Sequence, residues 1–462
     1  MKTRTEHDSL GDVAVPADAW YGAQTQRATE NFRISRQRAH PQLVRATALI
    51  KAASARANAR LGKLDAALAD AIAQSALEIA EGALADQFVV DVFQAGAGTS
   101  HNMNANEVIA NRANEMLGGQ RGIYAPIHPN DHVNMSQSTN DTVPAAIRVA
   151  ALALGTPLVA ALGSLADAFD AKAAEFDSVL KSARTHLQDA VPIRLGQEFG
   201  AYAWTIRRNS SRIAAALEYL REINLGGTAA GTGMNTHEAY AATVAEELST
   251  LSRLDLRPAG NLIAVTQSMA DFAHISSSLR TTALDMVQIA NDLRLLSSGP
   301  RTGLGEIALP VLQPGSSIMP GKVNPVIPEM TNMVCFQVIG NDTTIAVATQ
   351  AGQLELNVMM PVIAHNLLES LEILTNAAAT LADKCVRGIT ADMARNRYYF
   401  EASVGMATVL NPLIGYEAAA KVAQESARTG ETIVDVVRRQ GLLSDEDLTR
   451  IFDPASLTEP HE

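Results

Sequence analysis

The sequence predicts a mainly α-helical protein built around a long central helical bundle. Between Gly260 and Gly299 the apolar residues recur every three or four positions, which is typical of one buried helix face. Those residues are Met269, Phe272, Ile275, Leu279, Ala283, Met286, Ile289, Leu293 and Leu296. About 35 residues at about 1.5 Å each give roughly 53 Å, a length that is fully buried only in a long bundle. Aromatic residues are 4% of the chain, so the core must use small and unbranched side chains that suit closely packed helices.

The first part of the chain mixes polar and helix-forming sequence. Residues 1–40 are polar and contain short turns. Helical sequence dominates from about 41 to 117, although Gly96 and Gly98 interrupt it. A loop rich in Pro, Asn and His follows at 123–131. This pattern predicts a mixed, mostly helical N-terminal region.

Almost all of the sequence at 139–392 is helix-forming. Gly299-Pro300 provides a strong helix stop. A second helical pattern begins at Pro328, and Pro361 inside it predicts a kink. Three domains follow from these patterns: an N-terminal mixed domain over 1–137, a central long-helix bundle over 138–392 and a small helical domain over 393–462.

Composition and charge exclude several classes of function. The chain of 462 residues has 37 Lys and Arg against 49 Asp and Glu, a net charge of −12, which argues against nucleic acid or an anionic membrane as a partner. Its two cysteines, Cys335 and Cys385, exclude a disulfide framework and suit a reducing compartment. The N-terminus has no apolar signal-peptide core, and no stretch reaches the roughly 18 uncharged apolar residues of a membrane span. We therefore expect a cytoplasmic protein.

Motifs for nucleotides, metals and organic cofactors are incomplete. Gly226 and Gly231 have the spacing of a phosphate loop, but Thr232 stands where its lysine is needed. His128 and His132 lie four residues apart without an evident third metal ligand. There is neither an Ala-Ser-Gly tripeptide nor a Gly-x-Ser-x-Gly nucleophile elbow. The sequence therefore predicts chemistry with no metal and no cofactor.

Four loops that interrupt the helical sequence are dense in small polar residues and form the candidate site. Together they offer many hydrogen-bond donors but only one flexible cation, Lys322. That inventory suits a small oxygen-rich anion better than an apolar ligand. The loops are GAGTSHNMN (96–104), SQSTND (136–141), RTHLQDAVP (184–192) and GSSIMPGKVNP (315–325).

Taken singly, each loop also has a purely structural interpretation. Ser138, Thr139 and Asn140 could be N-cap residues of the next helix. Residues 315–317 could form a plain turn, and a lone His186 is more often a structural histidine than a catalyst. The recurrence of one composition at four loops favours a binding site over these separate explanations.

The longest of these motifs indicates a family. GSSIMPGKVNP at 315–325 resembles the signature of the fumarase/aspartase superfamily of elimination enzymes. The resemblance covers nearly the whole chain, from VPADAWYGAQTQRATENF at 15–32 to GLLSDEDL at 441–448. It implies that family's fold, a homotetramer with a core of about 20 helices in which each active site is shared between three subunits.

Within the superfamily, the sequence resembles class II fumarases and aspartate ammonia-lyases. GAGTS at 96–100 and Thr139 are ammonia-lyase-like, and ELNVMMPV at 355–362 lacks the Phe-Arg pair common in fumarases. Thr185-His186 and HPND at 128–131 are fumarase-like as well. The resemblance implies reversible deamination of L-aspartate to fumarate and ammonia. Class II fumarate hydratase is the first alternative, and a catalytically silent helical scaffold is the non-enzyme alternative.

The implied chemistry removes a proton from a carbon beside a carboxylate. The intermediate is a dianionic enediolate, or aci-carboxylate, so the enzyme must supply a strong base and donors where the charge develops. By resemblance Ser316 is that base, acting as an alkoxide held by the backbone N–H groups of 317–319 with Lys322 nearby. Glycine at 315 and 321 is then expected, because such a nest needs unusual backbone angles. The resemblance assigns catalysis to Ser316, His186 and Lys322, substrate binding to Thr99, Ser138, Thr139, Asn140, Thr185, Ser317, Lys322 and Asn324, and support of the histidine to Glu329, which could instead interact with the helix that begins near Pro328.

Overall fold

The computed structural model describes residues 2–459, and most of them are helical. The helices are α1 (Ala23–Asn31), α2 (Pro41–Arg60), α3 (Ala66–Ala80), α4 (Thr99–Met116), α5 (Thr139–Glu175), α6 (Leu195–Glu218), α7 (Tyr240–Ser252), α8 (Leu262–Gln267), α9 (Ala270–Leu296), α10 (Val326–Gln350), α11 (Met360–Lys384), α12 (Met393–Ala402), α13 (Asn411–Ile414), α14 (Tyr416–Thr429), α15 (Ile433–Gln440), α16 (Asp445–Ile451) and α17 (Pro454–Thr458). The strands are β1 (Thr3–Asp8), β2 (Gly11–Pro16), β3 (Leu180–Thr185), β4 (Gln188–Arg194), β5 (Glu222–Ile223), β6 (Arg257–Pro258), β7 (Ile307–Ala308) and β8 (Thr390–Ala391). They form four two-stranded sheets of consecutive strands, and β5–β6 is the parallel one.

Contacts divide the chain into two compact units, each assembled from three separate segments. The segments of unit 1 are residues up to 159, 211–283 and 336–374, and those of unit 2 are 160–210, 284–335 and from 375 onward. Each of the five long helices, α5, α6, α9, α10 and α11, contributes residues to both units. The sequence-based boundaries after 137 and 392 stay a prediction.

Unit 1 has an alanine-rich core in which α2, α3 and α4 pack together. Small side chains such as Ala52, Ala76 and Ala110 are fully buried and allow helices to approach closely. The long helices of this unit are joined by polar contacts. Ser276 on α9 donates to the Asp342 carboxylate on α10 over 2.7 Å.

Unit 2 packs α5 against α6 through an aromatic cluster. Phe199 makes edge-on contacts with Phe169 and Phe176, at centroid distances of 6.0 and 5.2 Å. Tyr202 joins the same cluster at 5.7 Å from Phe199. The C-terminal helices of this unit have their own small core, which includes Met406, Leu410, Val422, Ile433, Val436, Val437 and Leu448.

The central helix predicted between Gly260 and Gly299 is two helices. All nine residues of the predicted face are buried, which confirms the periodicity. However, α8 ends before Ser268, whose backbone is extended at φ −105° and ψ 128°. The Ser268 hydroxyl then accepts from the Ala270 N–H at 3.3 Å and starts α9 anew. The 27 residues of α9 end three residues before Gly299, so the predicted stop is confirmed.

The kink predicted at Pro361 is wrong. α10 ends at Gln350 and α11 begins at Met360, so the helical pattern is divided into two helices by a nine-residue connection. Pro361 lies in the first turn of α11, where a backbone N–H would have no acceptor within the helix, so proline does not disturb the helix there.

The expectation that no stretch is long and apolar enough to cross a membrane is also wrong. Within α5, an 18-residue window has a mean hydropathy of 1.9, which suffices by length and composition. Half of that window is buried inside the chain's own structure. The same helix carries Asp141 and Arg148, both fully buried, and Arg148 pairs with Asp271 over 2.7 Å. These are features of a core helix, which passes the same compositional test.

Candidate active site

The GAGTSHNMN loop turns sharply into the start of α4. Gly98 has φ +86°, and a Cβ there would lie 3.0 Å from the Val143 side chain. A Cβ on Gly96 would lie 2.9 Å from the Cβ of Val358. Glycine is therefore required by conformation at one position and by close approach at the other. Thr99 follows as the first residue of α4 and is exposed, so its hydroxyl lies beside the N–H groups of a helix start.

The SQSTND loop begins α5. The Ser138 hydroxyl accepts from the Asn140 N–H at 3.2 Å, and the Ser138 N–H donates to the Asp141 carboxylate at 2.9 Å. The capping interpretation is therefore confirmed for Ser138, while Thr139 and Asn140 lie within the first turn. Because the Ser138 oxygen accepts, its hydroxyl proton stays available for a ligand.

Asp141 clamps a glycine-rich turn against this helix start. Its buried carboxylate accepts from the N–H groups of Gly226 and Thr228 at 3.1 and 2.9 Å. Asn140 donates to the Ala229 carbonyl at 2.8 Å. Burial raises the pKa of Asp141, while these donors oppose that shift. The turn at 226–231, which has the glycine spacing of a phosphate loop, thus holds the start of α5 in place.

A buried lysine lies below the same loop, and the sequence analysis missed it. The Lys51 ammonium donates to Asn134 Oδ1 at 3.0 Å and to Gln137 Oε1 at 2.8 Å. A visible signal existed: Thr47, Lys51, Ser54 and Asn58 are polar residues at helical spacing on α2, and all are buried. A polar stripe on the buried face of an alanine-rich helix indicates a polar network.

The histidines considered as metal ligands use ring nitrogens locally. His132 Nδ1 accepts from the His128 N–H at 2.9 Å, and His128 Nδ1 accepts from the Asp131 N–H at 3.3 Å. Among the residues that the structure describes, no group of three or more His, Cys, Asp or Glu side chains is arranged to hold a metal ion.

In unit 2, Thr185 and His186 lie at the exposed tip of the β3–β4 hairpin. The two turn residues, His186 and Leu187, have φ of +56° and +60°. Glycine or asparagine is usual at such positions, so the tip stores backbone strain of the kind found at functional sites. His186 therefore lies at the exposed end of the hairpin and not in the core of the described chain, and its catalytic role stays a prediction.

A buried ion cluster fixes the base of this hairpin. Glu306, which is fully buried, pairs with Lys181 at 2.8 Å and with Arg184 at 2.7 Å, both on β3. Lys181 also pairs with Glu198 at 2.9 Å. Because Glu306 shares one desolvated site with Lys181 and Arg184, β3 is held in a single position below Thr185.

The GSSIMPGKVNP loop surrounds the Ser316 hydroxyl with backbone donors. The N–H groups of Ile318 and Met319 donate to Ser316 Oγ at 3.2 and 2.9 Å. Two of the three predicted donors are therefore present, and the Ser317 N–H is not among the donors to this oxygen in the described structure. Gly321 has the expected left-handed backbone at φ +80°.

The conformational reason given for Gly315 is wrong. This residue has no positive φ; instead, a Cβ there would lie 2.6 Å from the Lys322 carbonyl oxygen and 2.7 Å from the Asn324 nitrogen. The Gly315 N–H donates to the Lys322 carbonyl at 2.8 Å, and the Asn324 amide donates to the Gly315 carbonyl at 2.7 Å. Glycine is needed because the two ends of the loop touch.

The remaining predicted residues of unit 2 take different positions. Lys322 is exposed, and in the described part of the chain its ammonium forms no ion pair. Asn324 shapes the loop through Gly315, as above. Glu329 lies in the first turn of α10, as the helix-terminus alternative expects, and within the described chain it forms no ion pair with His186. The pairing implied by the resemblance stays a prediction.

The predicted site residues are thus divided between the units. Unit 1 brings together Ser138, Thr139 and Asn140 and also carries Thr99. Unit 2 carries Thr185 and His186 on its hairpin, the loop at 315–324, and Glu329. Each group presents hydroxyls, amides and backbone donors suited to an anionic oxygen ligand.

Comparison with known proteins gives the same family over the whole chain. A family model described as Lyase matches residues 11–340, and one described as Fumarase C C-terminus matches 406–459. The aspartate ammonia-lyase of a Bacillus species is 50% identical over 457 residues, covering 99% of this chain and 98% of that protein. The aspartate ammonia-lyase of Escherichia coli K12 is 47% identical over 460 residues, with 99% and 96% coverage.

Solved structures agree with the sequence relatives. A Brucella melitensis protein described as fumarate lyase:delta crystallin, bound to cobalt, superposes with a TM-score of 0.96 at 51% identity, covering 99% of this chain and 100% of that chain. The class II fumarase of Schistosoma mansoni superposes with a TM-score of 0.96 at 37% identity, covering 100% of both chains. The chain therefore belongs to the fumarase/aspartase superfamily, whose members act on dicarboxylates.

Proposed function

We propose that this protein is an aspartate ammonia-lyase, which converts L-aspartate reversibly to fumarate and ammonia by anti elimination. The observation that carries the proposal is the Ser316 hydroxyl, whose oxygen accepts from two backbone N–H groups. The curated relatives at about half identity over almost the full chain support aspartate as the substrate.

The two N–H groups suit Ser316 to act as the base. A free hydroxyl is far too weak an acid to be ionised near neutral pH, so its anion needs donors that are already in place. The amides of Ile318 and Met319 provide them at hydrogen-bond distance. Ser316 takes the proton from the carbon beside a carboxylate, and the electron pair that remains spreads onto that carboxylate as the aci-carboxylate.

Hydroxyl and amide groups then stabilise the substrate's two carboxylates. We assign Thr99, Ser138, Thr139 and Ser317 to the carboxylate that becomes the enediolate, and Thr185, Lys322 and Asn324 to the other one. Asn140 and His186 are assigned to the leaving group or the adjacent carboxylate. The aci-carboxylate carries more charge than the bound substrate, so donors aimed at it lower the barrier rather than only the dissociation constant.

The leaving group distinguishes the two candidate reactions. The amine of aspartate leaves as neutral ammonia without further protonation, whereas hydroxide leaves poorly and needs a general acid. Fumarate hydratase is the second candidate, because the Schistosoma mansoni fumarase shares the fold over the full chain. The ultraviolet absorbance of fumarate follows both reactions: we expect it to appear from L-aspartate and not from L-malate. Appearance from L-malate alone would establish the hydratase, and no change with either would favour the silent scaffold.

Substitution of the base tests the mechanism directly. Ser316→Ala is expected to abolish turnover while fumarate still binds, because the carboxylate-binding groups stay in place. Ser317→Ala is the matched control, since it removes a neighbouring hydroxyl that we assign to the developing aci-carboxylate. It should lower kcat, but far less than Ser316→Ala does, because the base stays in place. A Ser316→Ala enzyme with wild-type turnover would refute the assignment.

We further propose a cytoplasmic homotetramer with shared active sites. Exposed apolar residues on α10, namely Met333, Phe336 and Val347, lie at intervals that place them along one helix face and support subunit contact. The two free, buried cysteines support a reducing compartment. Refolding Ser316→Ala together with Asn140→Ala should restore about one quarter of wild-type activity, because half of the subunits supply each intact residue. Absence of restored activity would place both residues in a site within one chain.

A further inference from the structure

A buried hydrogen-bond network in unit 1 links α2 to the SQSTND loop. It begins at the Lys51 ammonium, which donates to Asn134 Oδ1 at 3.0 Å and Gln137 Oε1 at 2.8 Å. It continues through Asn102, whose Nδ2 lies 3.2 Å from Asn134 Oδ1 and 3.2 Å from Thr139 Oγ1. Lys51 and Asn102 are 0% and 1% exposed, so water does not compete for these contacts.

The chemistry of each member fixes the direction of its hydrogen bonds. An ammonium only donates, so Asn134 and Gln137 must present oxygens to Lys51. Because the Asn134 oxygen then faces Asn102, Asn102 must present its NH2 group. That NH2 group also reaches Thr139, so the Thr139 oxygen accepts and its hydroxyl proton is directed elsewhere.

The same network excludes the opposite orientation of the Asn102 side-chain amide. Turning the Asn102 amide over would place its oxygen against the Asn134 oxygen, and Lys51 prevents Asn134 from turning in compensation. The native orientation leaves the buried Asn102 oxygen without a partner, as it does the oxygen of Asn106, whose NH2 group also donates to Asn134. Two unpartnered buried oxygens are unfavourable, so this orientation exists because the lysine imposes it.

The hydroxyl proton of Thr139 has no acceptor in the described part of the chain. Thr139 is partly exposed and lies in the first turn of α5, between Ser138 and Asn140. We propose that Lys51, acting through Asn134 and Asn102, is a positioning residue that makes the Thr139 hydroxyl a hydrogen-bond donor to a carboxylate of the dicarboxylate substrate. This inference rests on the proposed function and adds to it the origin of the donor's orientation.

Maintaining a charge at Lys51 is itself unfavourable. Burial lowers the pKa of its ammonium to about 7, although the Asp141 carboxylate nearby opposes that shift. A methionine of similar length would fill the same space without this penalty. The lysine therefore has a role that packing alone does not explain.

Double-mutant cycles test the inference. Lys51→Met and Asn102→Leu are each combined with Thr139→Val, which removes the hydroxyl and keeps the shape. Each single substitution should lower kcat/KM by about 10- to 100-fold, the range for a hydrogen bond to a charged group. Each double variant should be no slower than Thr139→Val alone, because the hydroxyl to be oriented is already absent. Ser54→Ala, a buried residue one turn along α2, is the control and should leave kcat/KM unchanged.

The outcomes separate orientation from general damage. If Lys51 and Asn102 only maintain the fold, their losses multiply with that of Thr139→Val, and this result overturns the proposal. If Lys51→Met does not fold, as judged by circular dichroism, the Asn102→Leu cycle decides. A wild-type protein without turnover of aspartate would refute the proposed function separately. In that case the same double-mutant cycles are measured as dissociation constants for fumarate. Losses that do not multiply would support the positioning role of Lys51, and losses that multiply would overturn it.

Discussion

Replacing Gly315 by alanine should disable the Ser316 loop without unfolding the protein. The added Cβ would lie 2.6 Å from the Lys322 carbonyl oxygen and 2.7 Å from the Asn324 nitrogen. Both atoms belong to the backbone, so no side-chain rotation relieves the clash, and one end of the loop must move. Gly321→Ala is the matched control, because no atom lies within 4 Å of its Cβ position.

The magnitude follows from the bonds that the movement breaks. Gly315 closes the loop through two hydrogen bonds, at 2.8 Å to Lys322 and 2.7 Å from Asn324. At about 1 kcal/mol each, their loss disfavours the closed loop by about 2 kcal/mol. If only the closed loop supports the Ser316 anion, kcat/KM falls about 30-fold. Gly321→Ala only places an alanine in a left-handed backbone conformation, at φ +80°. This disfavours the closed loop by about 1 kcal/mol, so kcat/KM should fall about fivefold.

The assay is kcat/KM for formation of fumarate from L-aspartate, together with thermal unfolding of each variant. Both substitutions lie in an exposed loop, so the melting temperatures should stay close to that of the wild type. The order of activity should be wild type, then Gly321→Ala, then Gly315→Ala. A Gly315→Ala enzyme at least as active as Gly321→Ala would show that loop closure does not control Ser316.

Two stability predictions concern buried charges. Burial lowers the pKa of His101 to about 4, below its unfolded value of about 6.5, so the unfolded chain binds the proton more tightly. The free energy of unfolding should therefore fall by about 3 kcal/mol as pH decreases from about 6.5 to about 4, and His101→Gln should flatten this dependence in urea titrations. Glu306→Gln removes the carboxylate shared by Lys181 and Arg184 and should destabilise unit 2 by about 3 kcal/mol, whereas Asp167→Asn in an exposed ion pair should change stability by under about 0.5 kcal/mol. Chemical denaturation measures both, and equal effects of the two carboxylate substitutions would contradict the role given to Glu306.

Helix faces could be predicted from sequence, but helix ends depended on distant contacts. The nine apolar positions from Met269 to Leu296 follow local periodicity, eight of them on α9, and all are buried. The division between α10 and α11 depends instead on Asn357. Its amide donates to the carbonyls of Ala348 and Thr349 at 3.0 Å each, and its oxygen accepts from the Met359 N–H at 2.8 Å. One side chain thus ends one helix and begins the next, a role that no spacing around Pro361 indicates.

The candidate site shows the same difference between local and distant signals. Ser138 and Ser316 lie in loops whose small polar residues and glycines are visible in the sequence, and their main partners lie within three residues. Lys51 contacts Asn134 and Gln137, more than 80 residues away, so its importance depends on the tertiary fold. The polar stripe on α2 indicated a buried network, but not which loop the network supports.

The hydrogen bonds around three hydroxyls assign them opposite chemical roles. Ser138 and Thr139 each accept one bond, from Asn140 and Asn102 respectively, which leaves the proton of each free to be donated to a carboxylate. Ser316 accepts two backbone N–H groups, which occupy both lone pairs of a neutral hydroxyl and favour the anion, whose additional lone pair can take a proton. The same pattern of donors would be an ordinary cap if a helix followed Ser316. In the described chain no helix begins between Ser316 and Val326, so these N–H groups do not start a helix, and the oxygen that they support is that of the proposed base.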